Sequence, residues 1–208
     1  MTAFETAKLI ANRIAALPAT EERRLIAVAG PPASGKSTVA AALCDVLNEN
    51  GLHTGLVAMD GFHLDNAILE KRGLRARKGA PETFDLAGFS SILKRLHHEP
   101  EVIVPTFDRT RDLSVGSGAV VTPAMRTIVV EGNYLLLDEP GWADLKDHWD
   151  FSVFLSPPLS VLDARLIQRW IDHGFSEIDA RNKASQNDIP NAERVLAHRQ
   201  NADMVIEA

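Results

Sequence analysis

Apolar positions along this chain follow two rhythms. Phe4, Ala7, Ile10, Ile14 and Leu17 recur at helical spacing, which predicts an amphipathic helix stopped at Pro18. From Arg24 a short apolar run leads to Gly30, and Val39, Leu43, Val46 and Leu47 then resume the helical rhythm until Gly51. Residues 54–59 read as a second buried strand ending at Asp60. Residues 127–130 are a third, ending in Glu131-Gly132, and residues 151–155 a fourth. Glu101 to Val104 predicts a short strand broken at Pro105, and the glycines within 115–122 suggest a hairpin there.

Further helices are expected over Leu64 to Glu70, from Asp85 as N-cap to about His98, and from Pro158 to Gly174 with Leu159, Leu162, Leu166 and Trp170 on one face. Ser176 with Asp179 resembles another helix start, one more helix follows Pro190, and 204–206 reads as a last strand. Strands alternating with helices imply an α/β fold, a parallel β-sheet sandwiched between helices. One domain over 1–208 is expected, with an N-terminal helix in 1–18 and a helical lid over about 158–185.

The junction of first strand and second helix carries the chemistry. Gly30-Pro31-Pro32-Ala33-Ser34-Gly35-Lys36-Ser37 fits G-x-x-x-x-G-K-[ST] at every fixed position, between a strand and a helix as a phosphate-binding loop requires. Gly30 and Gly35 let backbone N–H groups converge on a polyphosphate, and the helix N-terminus adds its positive end. Lys36 supplies a mobile charge for the β/γ-phosphates and Ser37 a hydroxyl for Mg²⁺. Gly30 to Lys36, with Ser37 and Thr38, are therefore the expected ATP·Mg²⁺ site.

Two acids end strands at the same sheet edge. Asp60 is placed to accept the proton of an attacking hydroxyl or to hold a Mg²⁺ water, with capping of the following turn as the lesser alternative. Glu131 sits where a metal-facing acid belongs, directly after an apolar β-branched run. Arg165 and Arg169, four apart, share a helix face from which they could close over the transferred phosphoryl group; a solvated face would carry them too. His63, Arg77, Lys78, Phe107, Asp108 and Arg109 are acceptor-binding candidates in loops near that edge, with Arg111 beside them. No Cys/His spacing suggests zinc, and the three tryptophans read as core.

Composition narrows the setting. A formal charge of −6 and a pI near 5.6 leave no basic face for nucleic acid, and no apolar run approaches the roughly 18 residues of a membrane helix. A single cysteine, Cys44, expected to be buried, and an N-terminus without a signal-peptide pattern point to the cytoplasm. Monomer and homodimer both stay open.

Several stretches together resemble the uridine kinase, phosphoribulokinase and bacterial pantothenate kinase group of P-loop kinases. They are residues 30–37, Met59-Asp60-Gly61-Phe62-His63, Arg77 to Asp85, Pro105-Thr106-Phe107-Asp108 and Val129 to Tyr134. The ending, Arg165 to Arg169 followed by Asn187-Asp188-Ile189-Pro190-Asn191, is most similar to a bacterial branch named fructose transport system kinase. The resemblance implies phosphoryl transfer from ATP to a hydroxyl of a small metabolite, a sugar such as fructose among them. It matches Asp60 to the aspartate that activates the acceptor, Lys36 and Ser37 to the phosphate and magnesium residues, and Arg165 or Arg169 to the lid arginine. Phe107-Asp108-Arg109 and Gly61-Phe62 depart from the pantothenate and uridine patterns respectively. The rival expectation is a nucleotide-dependent regulatory ATPase whose loops at 61–84 and 105–118 hold a protein partner such as a transporter component, with a flat apolar patch as its mark.

Overall fold

A computed structural model describes residues 1–207. Five parallel strands form the central sheet: β1 (Arg24–Ala29), β2 (Thr54–Ala58), β5 (Thr127–Gly132), β6 (Phe151–Leu155) and β7 (Met204–Ile206), in the order β2-β5-β1-β6-β7. Strands β1, β5 and β6 are buried almost throughout, which is why their sequences are continuous rather than alternating.

Both faces are covered. On one lie α1 (Ala3–Ala15) and α2 (Lys36–Glu49), whose apolar stripes meet Ile26, Val28, Val129 and Val153. Thr2 and Glu5 close a capping box at the start of α1. The other face packs on α4 (Leu86–His98), capped by Asp85, and on a separate antiparallel hairpin of β3 (Val102–Asp108) and β4 (Leu113–Val121). A short α3 (Asn66–Lys71) precedes α4. Helices α5 (Leu159–Asp172), α6 (Glu177–Lys183) and α7 (Ile189–Ala197) carry a third apolar cluster around Leu162, Leu166, Ala180 and Ala192, against which Ala33 packs.

Four boundaries differ from the sequence expectation. Strand β2 stops at Ala58, and Met59–Phe62 winds into a 3₁₀ turn that carries Asp60. Strand β3 continues through Pro105, because its pairing shifts between Val104 and Thr106 and no ladder N–H is needed there. The hairpin turn is 109–112, with Asp112 at φ 53; residues 115–121 belong to one strand, β4. Pro190 lies inside the first turn of α7, where a missing N–H costs nothing, and a π turn over Ala184–Asp188 joins that helix to α6.

Candidate active site

The loop of residues 30–37 is shaped by its own backbone. A Cβ on Gly30 would lie 2.8 Å from the Leu155 carbonyl, so only glycine lets the chain leave β1 there. Gly35 takes φ 88 to turn into α2, and Ala33 also adopts a left-handed conformation, at φ 62. The buried Ser34 hydroxyl has no protein partner. A concave backbone turn, an orphaned hydroxyl and a helix N-terminus suit a polyphosphate, so the residues fit the group that the motif implies. Pro31 and Pro32 are buried supports, while Ser37 and Thr38 are exposed in the first turn of α2. Arg165 reaches this loop, its Nη1 donating to the Ala33 carbonyl at 3.3 Å.

Beside the loop, the Ser37 hydroxyl donates to Glu131 Oε1 at 3.2 Å. Glu131 is 5% exposed and held in register with Val28 on one side and Ala58 on the other. Burial pushes the Lys36 pKa down, against the attraction of Glu131 and Asp60; burial likewise pushes Glu131 up, against the pull of Lys36. Ser37 and Glu131 together form an oxygen pair of the type Mg²⁺ takes. Arg169 belongs to the same electrostatic neighbourhood, since its charge further lowers Lys36, and its guanidinium lies 5.8 Å from the Trp170 ring centre.

Asp60 faces the loop from the far side. It sits where it does because β3 crosses directly over Gly61, whose Cβ would be 2.5 Å from the Pro105 carbonyl oxygen. The hairpin turn brings Arg109 above it, with Nη2 donating to Asp60 Oδ2 at 3.0 Å. Between the end of β2, Glu131 and the inner face of the hairpin lies a cleft of about 300 Å³, with Asp60, Phe107 and Arg109 in its wall.

The remaining predicted residues divide. His63 is stacked on Phe84 (centroids 4.0 Å apart) and tilted against Phe107 (4.9 Å), with its Nδ1 buried and unpartnered. Burial, helped by the charges of Lys78 and Arg109 and opposed by Asp60 and Asp112, lowers its pKa to about 4, so the ring is neutral at pH 7. Lys78 is committed elsewhere: it binds the Asp112 carboxylate at 2.8 Å and also Asn66 Oδ1 and the Asp112 carbonyl. Arg77 pairs with Glu82, and Asp108 closes the hairpin turn onto Arg111.

The sequence reading passed over the groups that fix this side. Asp112 gathers Lys78, Arg75 and Asn66. Arg194 binds Glu139 and Glu82, Tyr134 donates to the Gly79 carbonyl at 2.5 Å, and Asn187 Nδ2 donates to the Lys78 carbonyl at 2.9 Å. Of the groups passed over, Glu82, Tyr134 and Asn187 lie within the motif stretches named above, and their spacing does not disclose their partners.

Three comparisons bear on this arrangement. The family model described as Phosphoribulokinase / Uridine kinase family matches residues 25–208. A crystal structure from Silicibacter sp. TM1040, described as a "putative fructose transport system kinase", is 46% identical, covers 99% of either chain and superposes with a TM-score of 0.92. Among curated proteins, "Uncharacterized protein YggC" of Escherichia coli K12 is 35% identical over 90% of this chain and 78% of its own length. A "putative uridine kinase" of Schizosaccharomyces pombe is 32% identical over 94% and 88%.

Proposed function

The chain belongs to the phosphoribulokinase/uridine kinase family and is a small-metabolite kinase of the P-loop fold, and we propose that the residues gathered around Lys36 carry out its phosphoryl transfer from ATP·Mg²⁺ to an alcohol. The observation that carries the assignment of roles is the meeting of Lys36, the Ser37–Glu131 pair and Asp60 at the carboxyl ends of β1, β5 and β2.

Each residue then has one task. The backbone of 30–37, with Thr38 beside it, holds the phosphates, and Lys36 neutralises the β/γ oxygens. Ser37 and Glu131 hold Mg²⁺, which supplies charge compensation along the phosphates when bound. Asp60 accepts the hydrogen of the acceptor hydroxyl as its oxygen bonds to the γ-phosphorus; the bridging P–O bond breaks, ADP leaves, and the proton stays on Asp60. Arg165, already on the Ala33 carbonyl, and Arg169 on the same helix approach the transferred group from the lid. His63, Phe107 and Arg109 face the acceptor, whereas Arg77, Lys78 and Asp108 support the loops around it.

Fructose enters the candidate acceptors through the description of the 46% identical bacterial protein. Against the regulatory alternative stands the cleft itself: the end of β2, Glu131 and residues 104–109 of the hairpin line a concave space with Asp60 in its wall, and the exposed pair Ile103–Val120 points to the opposite face of the hairpin. Among the described residues no helix is long and apolar enough to cross a membrane, and a cytoplasmic site of action fits the single buried thiol, whose pKa burial pushes up to about 12.

The test is ADP formation by the purified protein with Mg²⁺ and a panel of sugars, nucleosides, pantothenate and simple alcohols, with Asp60→Asn alongside. One acceptor should stimulate turnover, and Asp60→Asn should lower that stimulated rate by about 10²–10⁴-fold. Full transfer by Asp60→Asn would remove Asp60 from the mechanism. A slow basal hydrolysis that depends on Lys36 and ignores every acceptor would favour the regulatory reading.

A further inference from the structure

The cleft beside Asp60, at about 300 Å³, is at the small end of ligand pockets, which run roughly 300–1,000 Å³. Its wall is mainly hydrocarbon: Leu56, Ala58, Val104, Pro105, Phe107 and Ala119. A hexose carries a hydroxyl on nearly every carbon, and each one desolvated without a partner costs about 1–3 kcal/mol. Beyond Asp60, Glu131 and Arg109, only Thr106 offers this wall a polar side chain, and Glu131 is already engaged by Ser37.

Arg109 is the one cation in that wall among the described residues, and its situation differs from that of its neighbours. Lys78 and Arg75 are held by Asp112, Arg77 by Glu82 and Arg111 by Asp108. Arg109 leans instead on Asp60, in a pair where the arginine side chain is 69% exposed, and such a contact contributes only about 0–1 kcal/mol. Once Asp60 turns to an acceptor hydroxyl, Arg109 is the cation left without an anion. A planar guanidinium is shaped for a carboxylate, which it grips through two parallel hydrogen bonds.

We propose, resting on the kinase reading above, that the acceptor is a small hydroxy acid, with its hydroxyl on Asp60, its carboxylate on Arg109 and a short apolar carbon body along Val104, Pro105 and Phe107. Arg109 is then a specificity residue with two partners in turn. In the free protein it occupies Asp60; with substrate in place it exchanges that carboxylate for the substrate's own.

The experiment uses the whole protein with Mg²⁺ and ATP. The probes are 3-hydroxybutyrate, 4-hydroxybutyrate and 3-hydroxy-2,2-dimethylpropanoate, their primary amides, and fructose, ribose and glycerol 3-phosphate. At least one hydroxy acid should raise ADP formation, with kcat/KM about ten-fold or more above that of its amide, as loss of a charge-assisted hydrogen bond requires. Arg109→Gln should erase that acid-over-amide preference through KM, and Arg109→Lys should restore part of it. The proposal is overturned if none of the acids stimulates, if only neutral polyols or the phosphate ester do, or if Arg109→Gln leaves the acid-to-amide ratio unchanged. The kinase reading is judged separately. It stands if any alcohol in the panel is phosphorylated, and it falls if none is and MgATP fails to protect the protein from thermal unfolding in a Lys36-dependent way.

Discussion

The loop of residues 30–37 takes its shape mainly from its own backbone, with the Leu155 carbonyl, Arg165 and the α5–α7 cluster touching it from outside, whereas the turn of the hairpin β3–β4 across the cleft is held by side chains from distant segments. Asp112 in the hairpin turn is anchored by Lys78 and Arg75, more than thirty residues earlier, and Arg109 leans on Asp60, 49 residues away. The shape of the nucleotide loop is therefore set mainly by local backbone, and that of the acceptor-side turn by long-range ion pairs. Removing one residue from the first should abolish chemistry outright; removing one from the second should retune it.

The largest expected effect tests the first half of that contrast. Lys36→Ala should lower acceptor-dependent and basal ATP turnover together, by about 10²–10³-fold or more, while thermal unfolding without ATP stays close to that of the parent protein. A variant that keeps basal hydrolysis would show that the loop works without its cation.

The second half is tested at Asp112. Asp112→Asn keeps the shape but removes the charge that holds Arg75 and Lys78, leaving Lys78 the residue-112 carbonyl and Asn66, so the tether of the hairpin turn weakens. The acceptor KM should rise about ten-fold, equivalent to about 1.4 kcal/mol, with the KM for MgATP unchanged. Equal change in both constants would mean that the two sides are one unit.

A smaller effect is expected from pH. The folded His63 pKa, about 4, lies below the ordinary 6.5, so the unfolded chain takes up this proton first. The contribution of neutral His63 is fully present above pH 6.5 and is lost as pH falls from 6.5 towards 4, by up to about 1.4 kcal/mol per pH unit. Unfolding midpoints of the parent and of His63→Gln should therefore converge as pH drops through that window, and parallel curves would contradict the neutral, buried ring.

The smallest effect belongs to Arg77. Its pair with Glu82 spans 3.3 Å between groups more than a third exposed, and Arg77→Gln should change stability and acceptor KM by no more than about 1 kcal/mol equivalent. A ten-fold change in acceptor KM would move Arg77 into the cleft.

The same division governs how much the sequence discloses. The parallel sheet and the helices flanking it were legible because buried strands and amphipathic helices write their periods into adjacent residues, and the loop was legible because Gly30, Gly35, Lys36 and Ser37 are local to one turn. The hairpin was misread. Pro105 looked like a strand end, yet a pairing shift carries β3 through it, and the glycines of β4 looked like a turn. Gly118 is there for a different reason, since a Cβ on it would collide with Thr106 on the partner strand. The true turn, Arg109 to Asp112, has no glycine and depends on an aspartate at positive φ. The clasp of Arg194 on Glu139 and Glu82, like the lodging of His63 between Phe84 and Phe107, joins positions whose nearness exists only after folding.

Strands β3 and β4 pair only with each other and lie outside the five-stranded sheet. In a lineage, such an appendage can drift, lengthen or be replaced without disturbing the hydrogen-bond ladder that carries Glu131, and its register is policed by few positions. A change of acceptor can thus be made in residues 102–121 while the parallel ladder that holds Glu131 beside Ser37 stays as it is.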